Sequence, residues 1–192
     1  MIVVQEWWGL NENIRDIARR FAGEGFAALA PDLYRGRQTT EPDEARKLVM
    51  ELDADRAVGD LRAALDWLKA QGATEVAATG FCMGGRLVWR MAFTEPRLAA
   101  AVPFYGMPSV KGELHVPVLA HFGEEDHSIP LRDVGDLDRF MTEQGIPHEF
   151  HVYEGAPHAF FNDTRPSYRP EAARLAWERT ITFLRKHLAN AS

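Results

Sequence analysis

Three residue types at three places in this 192-residue chain could do nucleophilic chemistry together. Cys82 lies in Gly80-Phe81-Cys82-Met83-Gly84-Gly85, a Gly-x-Cys-x-Gly pattern between an apolar run at 75–79 and a helical run at 86–92. The pattern reads as strand, tight turn, helix. Glycines beside the turn let the helix cross close to the strand, where a Cβ would collide. The thiol would then sit over a helix N-terminus, whose unpaired N–H groups favour a thiolate. A thiol attacks a carbonyl only as thiolate, so it needs a base. His158, in a loop after a later strand, is the candidate base, and Asp126, after the strand between, is the candidate orienting acid. The competing reading of Cys82 is a small buried hydrophobe. His127, His121 and His151 compete with His158, and Glu124 and Glu125 compete with Asp126.

The elements that must hold these residues follow from the apolar patterning. Strands are predicted at 1–5, 26–30, 75–79, 99–104, 116–122 and 148–153. Helices are predicted from the Asn11 cap to Gly23, and over 43–52, 55–70, 86–92, 131–143 and 170–188. Strands alternating with helices imply an α/β fold: a mostly parallel six-stranded sheet with helices on both faces. Ligands bind such sheets outside the C-terminal strand ends. Glu6-Trp7-Trp8, Cys82, Asp126 and His158 all fall there. The order nucleophile, acid, base is that of the α/β-hydrolases, whose elbow normally carries serine. The oxyanion hole would use the N–H of Met83, just after the nucleophile, and that of Trp7.

Composition narrows the function. Hydrophobic residues make up 46% and charged residues 26%, values of an ordinary globular domain, and the length suits one domain over 1–192. A net charge of −6 with no basic run argues against a nucleic-acid surface. Apolar stretches are only strand-length, and no signal peptide is visible. A single cysteine excludes an internal disulfide and fits a reducing, cytoplasmic location. The histidines lack metal-like spacing, so no metal site is expected.

Four motifs in order carry a family resemblance: Gln5-Glu6-Trp7-Trp8-Gly9-Leu10-Asn11, the Cys82 elbow, the Asp126 loop, and Gly155-Ala156-Pro157-His158-Ala159-Phe160. Together they resemble the dienelactone hydrolase family over nearly the whole chain. The resemblance implies an α/β-hydrolase fold and a cofactor-free Cys82–Asp126–His158 triad acting on a small-molecule ester or lactone, of carboxymethylenebutenolidase type. It also implies that Glu6 keeps the resting cysteine neutral and accepts its proton when substrate arrives. From the residues alone, Glu6 could equally be a strand-end carboxylate facing water. Trp8, Tyr34, Arg35, Tyr105 and Phe161 are the candidate substrate-binding residues.

The chain departs from the family in two ways. A carboxylate-binding arginine should lie four residues after the histidine, where Asn162 stands, and no arginine after the second strand (Arg35, Arg37 or Arg46) aligns with its partner. A general carboxylesterase on aryl or alkyl esters is therefore a second expectation, and a non-catalytic ligand binder a third. The family's N-terminal antiparallel hairpin is also expected to be missing, because Met1-Ile2 reads as the opening of the first strand. The strand at 26–30 is then expected at the sheet edge, where it would favour self-association unless 38–42 covers it.

Overall fold

The computed structural model describes residues 1–109, 112–114 and 116–188. Five parallel strands form the sheet: β1 (Ile2–Val4), β2 (Ala77–Phe81), β3 (Ala100–Phe104), β4 (Val118–Gly123) and β5 (His148–Tyr153), side by side in that order. Among the described residues six helices accompany them: α1 (Glu12–Gly23), α2 (Pro42–Glu51), α3 (Ala54–Ala70), α4 (Met83–Thr94), α5 (Leu131–Glu143) and, after the last strand, α6 (Pro170–Leu188). The first four strands are buried at every position, which is why they read as continuous apolar runs rather than alternating ones.

Successive strand residues face opposite sides of the sheet. Gly80 faces α4, where Gly84 and Val88 approach it. Phe81, one residue on, stacks instead on Phe161, which stacks on Trp177 of α6. Trp177 also packs on Phe21 of α1. Thus α4, with α3 against it, covers one face, and α1 and α6 cover the other.

The expected sixth strand at 26–30 is not formed. The segment makes a single parallel bridge, Ile2 to Leu29. Three bonds hold it to β1: Met1 N to Ala27 O (2.5 Å), Leu29 N to Met1 O (2.8 Å) and Val3 N to Leu29 O (2.9 Å). The reason is local. Phe26 N still donates to Phe21 O as part of the α1 cap, and Pro31 has no N–H to donate. Among the described residues, 26–30 pairs with no strand on its other side. Gln38 and Thr39 do not cover it; they bond to Gly9 and Trp8.

This segment nevertheless fixes where a ligand can bind. From β1 the chain goes out through α1 to 26–30, then returns through α2 and α3 to β2 on the opposite side of β1. The direction of winding reverses at β1, and a crevice opens above its C-terminal end.

On the far side of the sheet, His121 is fully buried in β4 with both ring nitrogens engaged, Nδ1 with the Tyr153 hydroxyl (2.8 Å) and Nε2 with Thr180 of α6 (2.9 Å). Burial holds its pKa well below the ordinary 6.5, and the neighbouring charges of His151 and Arg179 act the same way. Protonation is therefore easier in the unfolded chain. The stability His121 contributes is present above about pH 6.5 and lost as pH falls below it. We expect His121→Gln to be less stable at pH 7.5 yet to lose less further stability between pH 7.5 and 5 in urea unfolding. An equal loss in parent and variant would remove His121 from the acid response.

Candidate active site

The turn at Cys82 is tighter than the sequence suggests. β2 runs through Gly80 and Phe81, and α4 begins at Met83, so Cys82 alone makes the corner. Its backbone sits at φ 59°, ψ −115°, a costly conformation for a residue with a Cβ. Two bonds hold it there: Cys82 N donates to Phe104 O, and Arg86 N donates to Cys82 O, both at 3.1 Å. The corner closes only because a Cβ on Gly84 would overlap the Val4 and Gln5 carbonyls, and one on Gly80 would overlap the Gly84 carbonyl. Tyr105 (φ 35°) and Ala159 (φ 61°) are strained in the same way, and both line the same cavity as Cys82.

Asp126 and His158 are joined by their loops. Glu125 N donates to Ala156 O (3.0 Å), and Gly123 lets the two loops touch, since a Cβ there would overlap the Ala156 carbonyl. Asp126 Oδ2 then lies 2.6 Å from His158 Nδ1. Its Oδ1 accepts the Ser128 N–H (2.9 Å) and hydroxyl (2.6 Å). Burial would raise the Asp126 pKa, but these donors hold it below the usual carboxylate value. Burial likewise disfavours charged His158, yet Asp126 and the Cys82 sulfur outweigh it and raise its pKa to about 10. The rival residues are engaged or turned elsewhere. Glu124 accepts from Gly155 N, His151 faces Glu149 at 3.7 Å, and His127 is exposed.

Glu6 is only 3% exposed and accepts from the Tyr105 hydroxyl (3.2 Å) and from Asn162 Nδ2 (2.8 Å). It does not face water. Burial raises its pKa, while Asn162, Tyr105 and the charges of His158 and Arg165 pull it back. The Met83 amide, first in α4, has no acceptor within the helix, and the Trp7 amide donates to no backbone group among the described residues.

These groups border one cavity of about 690 Å³, with Glu6, Trp7, Trp8, Cys82, Tyr105 and His158 on its wall. Three of the predicted substrate contacts lie elsewhere. Tyr34 is buried with its hydroxyl on Met83 Sδ (3.4 Å), because Asp32 turns its loop inward by accepting from the Tyr34 and Gly36 amides. Arg35 points out to pair with Asp60 at 3.0 Å. Phe161 is core, sandwiched between Phe81 and Trp177. Conversely, Ser128 and Arg165 escaped the sequence reading, and Asn162 was noted only as standing where a carboxylate-binding arginine was expected. Arg165 lies flat over Trp8, 3.6 Å from the ring, and donates to Thr40 O.

The sheet, the single-residue elbow and the acid and histidine loops define the α/β-hydrolase fold. The sequence profile of the dienelactone hydrolase family matches residues 1–188. Protein usf of Aquifex pyrophilus is 36% identical over 98% of this chain and 88% of its own length. A relative from Aquifex aeolicus named as a carboxymethylenebutenolidase is 33% identical with the same coverage. The crystal structure of a Klebsiella pneumoniae protein described as a dienelactone hydrolase superposes with a TM-score of 0.87 at 34% identity, covering 98% of this chain and 85% of that one. The chain belongs to the dienelactone hydrolase family and is a hydrolase.

The raised His158 pKa has a consequence for stability. The pair's contribution is fully present below about pH 6.5 and is lost as pH rises through about 10. In Asp126→Asn, urea midpoints measured from pH 6 to 10 should fall less steeply than in the parent. Parallel curves would show that Asp126 does not hold the imidazolium.

Proposed function

We propose that this hydrolase cleaves a carboxylic ester or lactone through Cys82. One observation carries the reading: a strained thiol and an Asp126-anchored histidine open into the same cavity. With Nδ1 turned to Asp126, His158 presents Nε2 to Cys82, and its raised pKa favours the ion pair in which the thiol proton has moved to Nε2 and left a thiolate. The thiolate adds to the substrate carbonyl carbon, and the Met83 and Trp7 amides receive the oxyanion. Collapse breaks the C–O bond, and the departing alkoxide takes the proton from imidazolium. Water, deprotonated by His158, then releases the acid from the thioester and the thiol re-forms. Glu6, in the same cavity, is a second acceptor for the thiol proton. The catalytic set is thus Cys82, His158, Asp126 and Glu6.

The substrate range is drawn by the walls. Trp7, Trp8, Met107, Pro108 and Ile129 present mostly apolar surface, and Asn162 is engaged with Glu6 rather than open to a ligand. This favours aryl or alkyl esters beside lactones.

The test is turnover of p-nitrophenyl acetate and of a panel of lactones and esters. Cys82→Ala should lose roughly 10³-fold or more in kcat/KM, since no other thiol exists in the chain. Iodoacetamide should abolish parent activity in proportion to Cys82 modified. Near-parent rates in Cys82→Ala would sink the mechanism. His158→Ala should lose comparably. A larger loss in His127→Ala would show the base to be misassigned.

A further inference from the structure

Glu6 is the buried carboxyl of the cavity, and its two oxygens are used separately. Oε1 takes the Tyr105 hydroxyl and Oε2 takes the Asn162 amide. Asn162 is itself 1% exposed and locked in place. Its Oδ1 accepts from both the Thr164 N–H (3.0 Å) and the Thr164 hydroxyl (2.6 Å). An amide oxygen so occupied leaves only the NH₂ to face Glu6, which fixes the side chain's orientation. The backbone is pinned as well: Asn162 N donates to Ala159 O, and Arg165 N donates to Asn162 O. This turn begins directly after His158. Asn162 therefore ties the histidine loop to the end of β1, across 156 residues of sequence.

The chemistry of that tie matters. A neutral amide can hold a carboxylate without cancelling its charge. The groups that face Glu6 are the Tyr105 phenol, His158 and Arg165, with Cys82 on the same cavity wall; His158 and Arg165 act on it only through space. The charge state of Glu6 is then sensitive to what stands at position 162.

We propose that Asn162 is a positioning residue for the reaction: a neutral donor, clamped by Thr164, that holds the Glu6 carboxyl against the cavity and sets how readily Cys82 gives up its proton. The inference rests on the reading of Glu6 as an acceptor for that proton.

The single cysteine makes the test clean, because iodoacetamide reports on Cys82 alone. The alkylation rate is measured from pH 5 to 10 in the parent, N162D and N162R, with thermal unfolding as a folding control. Aspartate keeps the acceptor that Thr164 needs but puts a second carboxylate beside Glu6. Protons in the cavity are then held more tightly, and the midpoint should rise by about one pH unit. Arginine adds a cation and should lower it by about one unit. A merely structural role would not produce opposite shifts. In the E6Q background most of both shifts should vanish, because the group through which residue 162 acts is gone. Shifts in the same direction, no shift, or shifts undiminished in E6Q would each overturn the proposal. If N162D does not fold, N162R and E6Q/N162R carry the test alone. Turnover of p-nitrophenyl acetate is read in parallel. Opposite shifts in N162D and N162R together with no turnover in the parent would refute the proposed hydrolysis and leave the role of Asn162 standing.

Discussion

The site depends on how closely α4 approaches the sheet. Helix and strands meet backbone to backbone: Gly84 lies against the Val4 and Gln5 carbonyls of β1, Gly85 against the Phe104 carbonyl of β3, and Gly80 against Gly84 itself. Side chains elsewhere keep helices and sheets about 10 Å apart. Here they are missing, and the helix N-terminus drops to the level of the strand ends. That descent places Cys82 above the crevice made by the change of winding direction at β1. A single methyl group at any of these glycines would push α4 outward and separate Cys82 and the Met83 amide from the end of β1.

The second constraint is the alignment of loops along the sheet. Each strand end is stitched to the next: Cys82 N to Phe104 O, Tyr105 N to His121 O, Glu124 N to Tyr153 O. The ladder thus continues past the strands into the functional loops. Tyr105 stays in a left-handed conformation because its neighbours on both sides are fixed. Its ring lies 5.1 Å from that of His158, and its hydroxyl reaches Glu6, so one strained residue touches both.

What could be read from the sequence was what sterics and periodicity write locally. The glycines of the elbow, the Asn11 cap, and the limits of β5, α5 and α6 are all local signals, and they appear where expected. The segment 26–30 was misjudged because its apolar run hid a helix cap at one end and a missing donor at the other. Phe161 was misplaced because an aromatic residue three positions after a histidine can turn to the core or to the cavity, and only Phe81 and Trp177 decide which. Tyr34 was redirected by the Asp32 turn. Ser128 carried an Asx-turn signal two residues after Asp126 that could have been used. The family pattern marked position 162 as the place of an expected arginine, but nothing local pointed to the contact of Asn162 with Glu6 or to those of Arg165 with Trp8 and Thr40, which lie at the other end of the chain.

The solitary cysteine has a further consequence, for oxidative damage. Many enzymes with a reactive thiol keep a second thiol near it, so that a sulfenic acid is captured as a disulfide before it oxidises further. This chain has no second cysteine to offer. Cys82 borders an open cavity beside a histidine, where peroxide can reach it. Once oxidised to the sulfenic acid, it has no partner within the chain to close on. Its recovery then falls to small thiols small enough to enter the cavity, and without them oxidation proceeds to the sulfinic acid and the loss is permanent.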